Sequence, residues 1–462
     1  MDELTCFKAY DIRGEVGVNL TPDIAFRIGR AYAAWRHPRR VVIGADIRLS
    51  SESLKSAVTD GLISSGVDVI DIGLSGTEEI YFATRELRAD GGIQITASHN
   101  PAQYNGMKLV REEARPISND NGLLEIKALA ERNDFAPIVH RGSLIPYDNR
   151  PAWIACLLRF LQHPPTRPLR IVTNAGHGTV GPALDAIADG LARAGVQIEF
   201  IRLHHQPDGH FPAGVPNPML TENRLITQQA VIENQADFGI AWDGDFDRCF
   251  FFDECGRFIE SYYLVGLFAE HFLQRSAGSH IILDPRLTWN TLDVVTRCGG
   301  IPVISKTGHA FIKARMREED AVYGGEMSGH HYFRDFGYCD SGMIPLVLLL
   351  QIIGSDSRPL SAYIEHAQVR FPVSGEINLT VADPQSVMQS IAAHYLQAGG
   401  LRDDCDGLSI DFVDWRFNLR ASNTEPLLRL NVETRADTAL LARKTDELLT
   451  LIAAWDSDKE RL

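Results

Sequence analysis

The chain has 462 residues, a formal net charge of -15, 45% hydrophobic and 23% charged residues, and seven cysteines. That length exceeds what one hydrophobic core supports and reads as three or four domains, while the composition excludes extensive disorder. An acidic surplus disfavours non-specific binding to nucleic acid or anionic membrane, so an anionic ligand must be met by a local basic cluster. The cysteines (Cys6, Cys156, Cys249, Cys255, Cys298, Cys339, Cys405) are odd in number, widely spread and without CxxC or zinc spacing, which predicts reduced thiols in a cytoplasmic protein. The first residues lack signal-peptide features. The longest apolar run, Met343 to Ile353, is too short to span a bilayer and predicts a buried helix. No nucleic acid, membrane or obligate protein partner is expected.

In chain order, Phe7 to Gly14 reads as an N-terminal strand with a solvated face, or as charges (Asp11, Arg13) placed around a glycine turn to position a phosphate. Thr21-Pro22-Asp23 starts an amphipathic helix running to about Trp35. A buried strand follows within 39–48, then a helix from Ser51 to about Ser64 and a strand at 67–73. Ile93 to Thr96 predicts another short strand, and Asn100-Pro101 forces a turn after it, so Ser98 and His99 sit on a loop at a strand's carboxyl end, where ligands bind in open α/β sheets.

The strand-helix-strand unit recurs at 169–200 and 280–304. Each time an apolar strand ends in Asp or Asn plus a turn, a helix crosses over, and a glycine opens a second strand. Such units demand a mainly parallel sheet with right-handed crossovers. Turn-forming residues cluster near Tyr147–Arg150 and Cys255–Gly256, where linkers are predicted. From Gln368 the pattern changes to strands with period-two alternation (375–381, 408–412, 415–420) and a long final helix. The predicted fold is α/β: three similar mixed or parallel domains in series (1–147, 148–255, 256–367) and a C-terminal α+β domain (368–462), around a central cleft.

Three motifs carry chemistry. Asp243, Asp245 and Asp247 follow the strand Phe238 to Trp242; alternate carboxylates beside a tight glycine turn can converge on one hard cation, and oxygen ligands suit magnesium. A calcium loop is the rival, because Asp243, Asp245, Asp247 and Glu254 fall at its positions 1, 3, 5 and 12. Its position 6 is Arg248 where a sharp bend needs glycine; a merely solvated acidic turn is the other reading. Gly325-Glu326-Met327-Ser328-Gly329-His330 offers a carboxylate and a hydroxyl to vicinal sugar hydroxyls, or else a helix N-cap serine. Arg420-Ala421-Ser422-Asn423-Thr424, with Arg429 beyond, suits a phosphate dianion or an ordinary N-cap. Lys306-Thr307-Gly308-His309 adds a lysine and a histidine beside glycine.

Together TASHNP, DGDFDR, GEMSGH and RASNTEP, in that order and at these spacings, resemble the α-D-phosphohexomutase superfamily over essentially the whole chain, nearest to its bacterial phosphomannomutases. The resemblance implies an isomerase that carries phosphoserine at Ser98, passes the phosphoryl group to a hexose monophosphate, and recovers the opposite phosphate from a 1,6-bisphosphate. By it, Ser98 with Asp243, Asp245 and Asp247 would hold magnesium, and Arg248, Arg13, His99 and Lys108 would line the transfer site, Lys108 being the candidate for proton transfer. Glu326 and Ser328 would grip the sugar's 3- and 4-hydroxyls. Arg420, Ser422, Asn423 and Thr424, with Arg429, would hold the other phosphate, and Arg286, His309 and His330 would complete the cleft. Glucose or mannose 1,6-bisphosphate is the implied activator and hexose phosphates the implied partners. The methionine of GEMSGH favours glucose or mannose phosphates over glucosamine phosphate. FKAYDIRG and the GHHYFRD continuation favour mannose, with a role in GDP-mannose supply for polysaccharide. A phosphoglucomutase or dual-specificity enzyme, a metal-dependent sugar phosphatase and a catalytically silent binding protein are the alternatives.

Overall fold

The structure, a computed structural model, describes residues 3–135, 140–421 and 427–457. The chain divides into two compact units, Met1–Phe258 with Gly329–Leu360 and Ile259–Ser328 with Ser361–Leu462.

The first sheet, in unit 1, contains β1 (Ile12–Glu15), β2 (Arg40–Ala45), β3 (Asp68–Leu74), β4 (Gly91–Ile95), β5 (Tyr104–Arg111), β6 (Arg115–Pro116) and β7 (Leu144–Pro146), in the order β1-β5-β4-β2-β3-β7 with β6 beside β5. β4, β2, β3 and β7 run parallel; β5 is antiparallel to both β4 and β1. The helix Pro22–Arg36 begins as expected: Thr21 caps it by accepting from the Ile24 amide, and proline sits in its first turn. The helix Ser51–Ser64 follows β2.

The second sheet has β8 (Leu169–Asn174), β9 (Ile198–Leu203), β10 (Phe238–Trp242), β11 (Cys249–Phe252) and β12 (Phe258–Ile259), in the order β12-β11-β10-β8-β9. In unit 2, β13 (His280–Leu283) pairs in parallel with β14 (Ile301–Ile304) and β15 (Tyr323–Gly325). The hairpin of β16 (His331–Phe333) and β17 (Cys339–Asp340) belongs to unit 1. The last sheet, β18 (Ile377–Thr380), β19 (Leu401–Asp403), β20 (Leu408–Asp411), β21 (Trp415–Ala421) and β22 (Leu427–Thr434), runs β18-β22-β21-β20-β19 with each neighbouring pair antiparallel. Its core of Ile391, Tyr395, Phe417, Leu428, Val432 and Leu448 packs against the helix Thr438–Ser457.

Two expectations change in detail. Phe7 to Gly14 is not one strand: the Lys8 amide bonds the Asp11 carbonyl at 2.8 Å, folding 8–11 into a turn, and the strand starts at Ile12. The glycine of each repeat closes the helix rather than opening the strand. Gly66, Gly195 and Gly299 all have positive φ, and the amide two residues past the last full turn reaches back (Val67 to Leu62, Val196 to Leu191, Gly300 to Val295), so the second and third repeat strands begin only at Ile198 and Ile301. The predicted linkers both fall on turns: Cys255–Gly256 joins β11 to β12, and Tyr147–Asn149 joins β7 to the helix Arg150–Leu158.

The apolar run forms the buried helix Ile344–Gly354. A buried carboxylate fixes its start within unit 1: Glu78 accepts from Ser341 Oγ (2.8 Å), Gly342 N (2.8 Å), Met343 N (3.1 Å) and Trp153 Nε1 (3.2 Å). Replacing it strands four buried donors. Glu78→Ala is expected to lower stability by about 3 kcal/mol, read as a drop in the urea midpoint at unchanged slope.

Candidate functional site

In all three repeats the first parallel strand is followed by a helix leading to a neighbour on one side, and the next strand returns on the other side. β2 lies between β3 and β4, β8 between β9 and β10, and β13 between β14 and β15. The loops leaving the paired carboxyl ends therefore diverge and leave room between them. The turn after each first strand is the same: Asp46, Asn174 and Asp284 each accept, through side-chain Oδ1, the amide two residues on (Arg48, 2.9 Å; Gly176, 3.0 Å; Arg286, 2.9 Å). After the second strand of each pair stand Ser98, Asp243 and Glu326.

In unit 1 the loops after β4 and β10 meet. Gly244 is what permits it, because a Cβ there would lie 2.5 Å from the Ser98 carbonyl oxygen. Ser98 is buried with a left-handed backbone (φ 51°), a costly conformation for a non-glycine residue that its surroundings must impose. Its Oγ donates to Asp243 Oδ2 at 2.6 Å and lies 3.0 Å from His99 Nδ1. Arg248 bonds Asp243 Oδ2 through Nε (2.9 Å) and Nη2 (2.8 Å), approaches Ser98 Oγ at 3.4 Å and donates to His99 Nδ1. Lys108, on β5, donates to Asp245 Oδ2 at 2.7 Å and to Asp247 Oδ2, and Thr77 Oγ1 also donates to Asp245. Arg13 reaches the loop one step away, bonding Asn100 Oδ1 while Asp11 holds its Nε at 2.8 Å.

Sequence reasoning passed over Arg48. Its side chain is fully buried, and its two terminal nitrogens donate to four backbone carbonyls of the serine loop: Ser98 (2.8 Å), Asn100 (2.6 Å), Pro101 (2.8 Å) and Tyr104 (2.9 Å). A planar fork with several fixed donors can do this where an ammonium cannot. The signal was the repeated Asp-x-Arg after a first strand, legible only once the turn geometry is known.

The three aspartates are almost wholly buried and flanked by the strands β10 and β11, which excludes both a solvated turn and a helix-flanked calcium loop. Their ligand atoms lie within 4.8 Å of one another, and Asp245 Oδ1 and Asp247 Oδ1 are buried without a hydrogen-bond partner. Carboxylate oxygens in that state fit a cation. Burial opposes the charge on Asp245, yet Lys108 and Thr77 hold its carboxyl below the usual range. Burial and the charge of Asp245, against the pull of Lys108, push Asp247 up to about 6. Burial also opposes the Lys108 charge, but Asp245, Asp247 and Asp243 outweigh it and hold the ammonium above the ordinary lysine range. Burial and the charges of Arg248, Arg13 and Lys108 push His99 well below its ordinary range, leaving a neutral imidazole.

In unit 2, Glu326 Oε1 accepts from the Gly308 amide at 3.0 Å, and Arg286 lies 3.6 Å from it. Arg286 is clamped by Asp284 (3.0 Å), approaches Ser328 Oγ at 3.5 Å, and has Glu376 at 3.6 Å. Arg416 holds this turn from β21, donating to the Pro285 and Arg286 carbonyls at 3.0 and 3.1 Å. His309 begins the helix after Gly308. A strand, not a helix, follows Ser328, so the N-cap reading of that motif fails. Arg420 and Arg429 are directly opposed across β21 and β22, and Asp406, which also accepts from the Thr307 amide at 3.2 Å, lies 3.5 Å from Arg420. Two guanidiniums at one register position repel unless an anion lies between them. Leu427 opens a strand, so no helix follows there either. Ser422, Asn423 and Thr424 lie outside the described residues. His330, expected from sequence to complete the cleft, belongs to unit 1 beside Asp340, 3.0 Å from its Oδ2.

Four sequence profiles match the chain in series: phosphoglucomutase/phosphomannomutase alpha/beta/alpha domain I over residues 5–137, domain II over 153–256, domain III over 260–371 and the C-terminal domain over 376–451. The chain belongs to the phosphoglucomutase/phosphomannomutase family. It is thus built of three α/β/α domains and a C-terminal domain in series. It is 57% identical over 455 residues to a phosphomannomutase of Escherichia coli, covering 98% of this chain and 100% of that one. With a phosphomannomutase of Vibrio cholerae serotype O1 it shares 53% over 462 residues, covering 99% and 100%. A crystal structure of a phosphoglucomutase/phosphomannomutase family protein from Burkholderia thailandensis superposes with a TM-score of 0.88 at 32% identity, covering 98% of each chain.

Two outcomes follow from this geometry. Arg48→Lys keeps the charge but loses the four-carbonyl clamp, and is expected to lower kcat by about a hundredfold with a far-UV spectrum unchanged. At acidic pH a divalent cation must displace a proton from Asp247, whose carboxyl is pushed up to about 6 by burial and the charge of Asp245. The raised carboxyl favours its protonated form below about 6, so calorimetric cation affinity should be about tenfold weaker at pH 5 than at pH 7 and level above that.

Proposed function

We propose that the chain is a phosphomannomutase, interconverting mannose 6-phosphate and mannose 1-phosphate through a phosphoryl group carried on Ser98 and a hexose 1,6-bisphosphate that also serves as activator. One observation carries this reading: a buried, strained serine hydroxyl is hydrogen-bonded to Asp243 and faced by Arg248, beside two aspartate oxygens that take no hydrogen bond. The name of the relatives at 53–57% identity supports the sugar.

Phosphoryl transfer asks mainly for alignment and charge neutralisation. A free sugar hydroxyl oxygen attacks the phosphorus on Ser98 as the bond from phosphorus to Oγ breaks; the departing Oγ takes up a proton and the attacking hydroxyl gives one up. Magnesium held by Asp243, Asp245, Asp247 and the Ser98 phosphoryl group would neutralise the charge that spreads over the phosphoryl oxygens. Arg248 donates to the same oxygens, and neutral His99 adds no competing charge. Arg13 steadies the loop through Asn100. Lys108 is the group for proton transfer: held protonated by its carboxylates, it gives its proton to the departing Ser98 Oγ and takes the sugar hydroxyl proton in return.

The second phosphate falls to Arg420 and Arg429 with Ser422, Asn423 and Thr424, the sugar 3- and 4-hydroxyls to Glu326 and Ser328, and the remaining cleft contacts to Arg286, His309 and His330. Reading those two hydroxyls tolerates either orientation of the sugar, which a mutase needs if both phosphates are to visit Ser98. Seven free thiols support a reducing, cytoplasmic setting.

Turnover of mannose 1-phosphate and glucose 1-phosphate, each with trace bisphosphate, tests the reading. Ser98→Ala is expected to abolish both while retaining ligand binding; intact turnover in that variant would remove the serine from the mechanism. A hundredfold preference for glucose would reassign the sugar, and phosphate release at the isomerisation rate would make the chain a phosphatase.

A further inference from the structure

A second set of donors shares one member with the aspartate triplet. Asp247, His330 and Asp340 each present a ligand atom within 4.8 Å of the others. All three belong to unit 1: Asp247 lies between β10 and β11, His330 precedes β16, and Asp340 lies on β17 opposite Tyr332. The Asp340 side chain is fully buried and that of His330 is 16% exposed, so the group has one side open to exchange. Asp247 is buried, and its Oδ1 takes no hydrogen bond.

The donor chemistry differs from that of the triplet. Magnesium prefers oxygen ligands in a near-octahedral shell, which three carboxylates serve. An imidazole nitrogen with two carboxylate oxygens suits zinc and its borderline neighbours, which take such ligands at about 2.0–2.2 Å in a tetrahedron. Ligand atoms of that tetrahedron stand about 3.3 Å apart, and His330 Nδ1 and Asp340 Oδ2 are 3.0 Å apart already. We propose that Asp247, His330 and Asp340 form a second cation site, selective for zinc-like divalent ions, whose filling excludes a cation from the triplet because both sites need Asp247. Binding there replaces the proton shared between His330 and Asp340, which is released to solvent. Zinc is thereby an inhibitor that acts by withdrawing a triplet ligand and His330 together. The exclusion rests on the reading of the triplet as a magnesium site; the second site itself does not.

Calorimetric titration of the chelator-treated full chain with zinc chloride and, separately, magnesium chloride decides it. In Asp243→Asn, which alters a triplet carboxylate that the second site does not share, zinc binding is expected to persist while magnesium binding is lost. In His330→Gln, zinc should bind about a hundredfold more weakly while magnesium affinity stays within about threefold, which also shows the variant is folded. X-ray absorption of the one-to-one zinc protein should show one imidazole ligand. Zinc affinity unchanged in His330→Gln, or abolished in Asp243→Asn, would place zinc on the triplet and overturn the second site. If magnesium fails to bind the unaltered chain while zinc binding still needs His330, the triplet reading falls and the second site stands.

Discussion

Where two adjacent parallel strands end and their chains depart to opposite sides, the sheet leaves a notch whose walls are backbone and whose rim is whatever follows the last strand residue. Each of the three repeats has one such notch, at β2/β4, β8/β10 and β13/β15. The rims carry Ser98, the aspartates and Glu326. An Asx turn closes the first-strand side of every notch, spending one side-chain oxygen of Asp46, Asn174 or Asp284 on a backbone amide. The rest of the chemistry hangs on loops that this repeated turn keeps short and in place.

Holding those loops together in unit 1 brings five ionised groups out of water: three carboxylates, Lys108 and Arg248. Isolated, each would cost several kcal/mol. Asp243 is matched by Arg248 and by the serine hydroxyl, and Asp245 by Lys108 and Thr77. Asp247 is left with only a share of Lys108, and it is this carboxyl that is pushed up to about 6. The imbalance is local and negative, at two buried oxygens, Asp245 Oδ1 and Asp247 Oδ1, that no protein donor satisfies. A site that were merely structural would have closed this deficit with a donor.

Much of this was readable from residues alone. The helix at Ser51–Ser64 and the strand at Phe238–Trp242 fall where periodicity and flanking turns put them, since cap and breaker residues there act locally. The glycine of each repeat was assigned to the wrong neighbour because a left-handed residue ends a helix as readily as it precedes a strand. Ser98 and the aspartates announced themselves through residue type and spacing. Arg48 and Thr77 did not: their partners are backbone carbonyls and a carboxylate more than fifty residues away in the second case, and no spacing encodes a contact that depends on strand order. The His330 contact was hidden for the same reason, its hydrogen-bond partner Asp340 lying across a hairpin that the sequence did not show.

Arginine rather than lysine stands at the supporting positions because of what is being held. Arg48 and Arg416 grip carbonyls of a turn, neutral acceptors that point in several directions, and only a rigid fork meets two to four of them at once. Lys108 meets two carboxylate oxygens from one point and can swing between them. The scaffold is thus built from donors that cannot lose a proton, and the one cation in unit 1's cluster that can lose one faces the aspartates. That division keeps the serine loop fixed whatever the protonation of the centre, so charge can move through the site without moving the Ser98 hydroxyl.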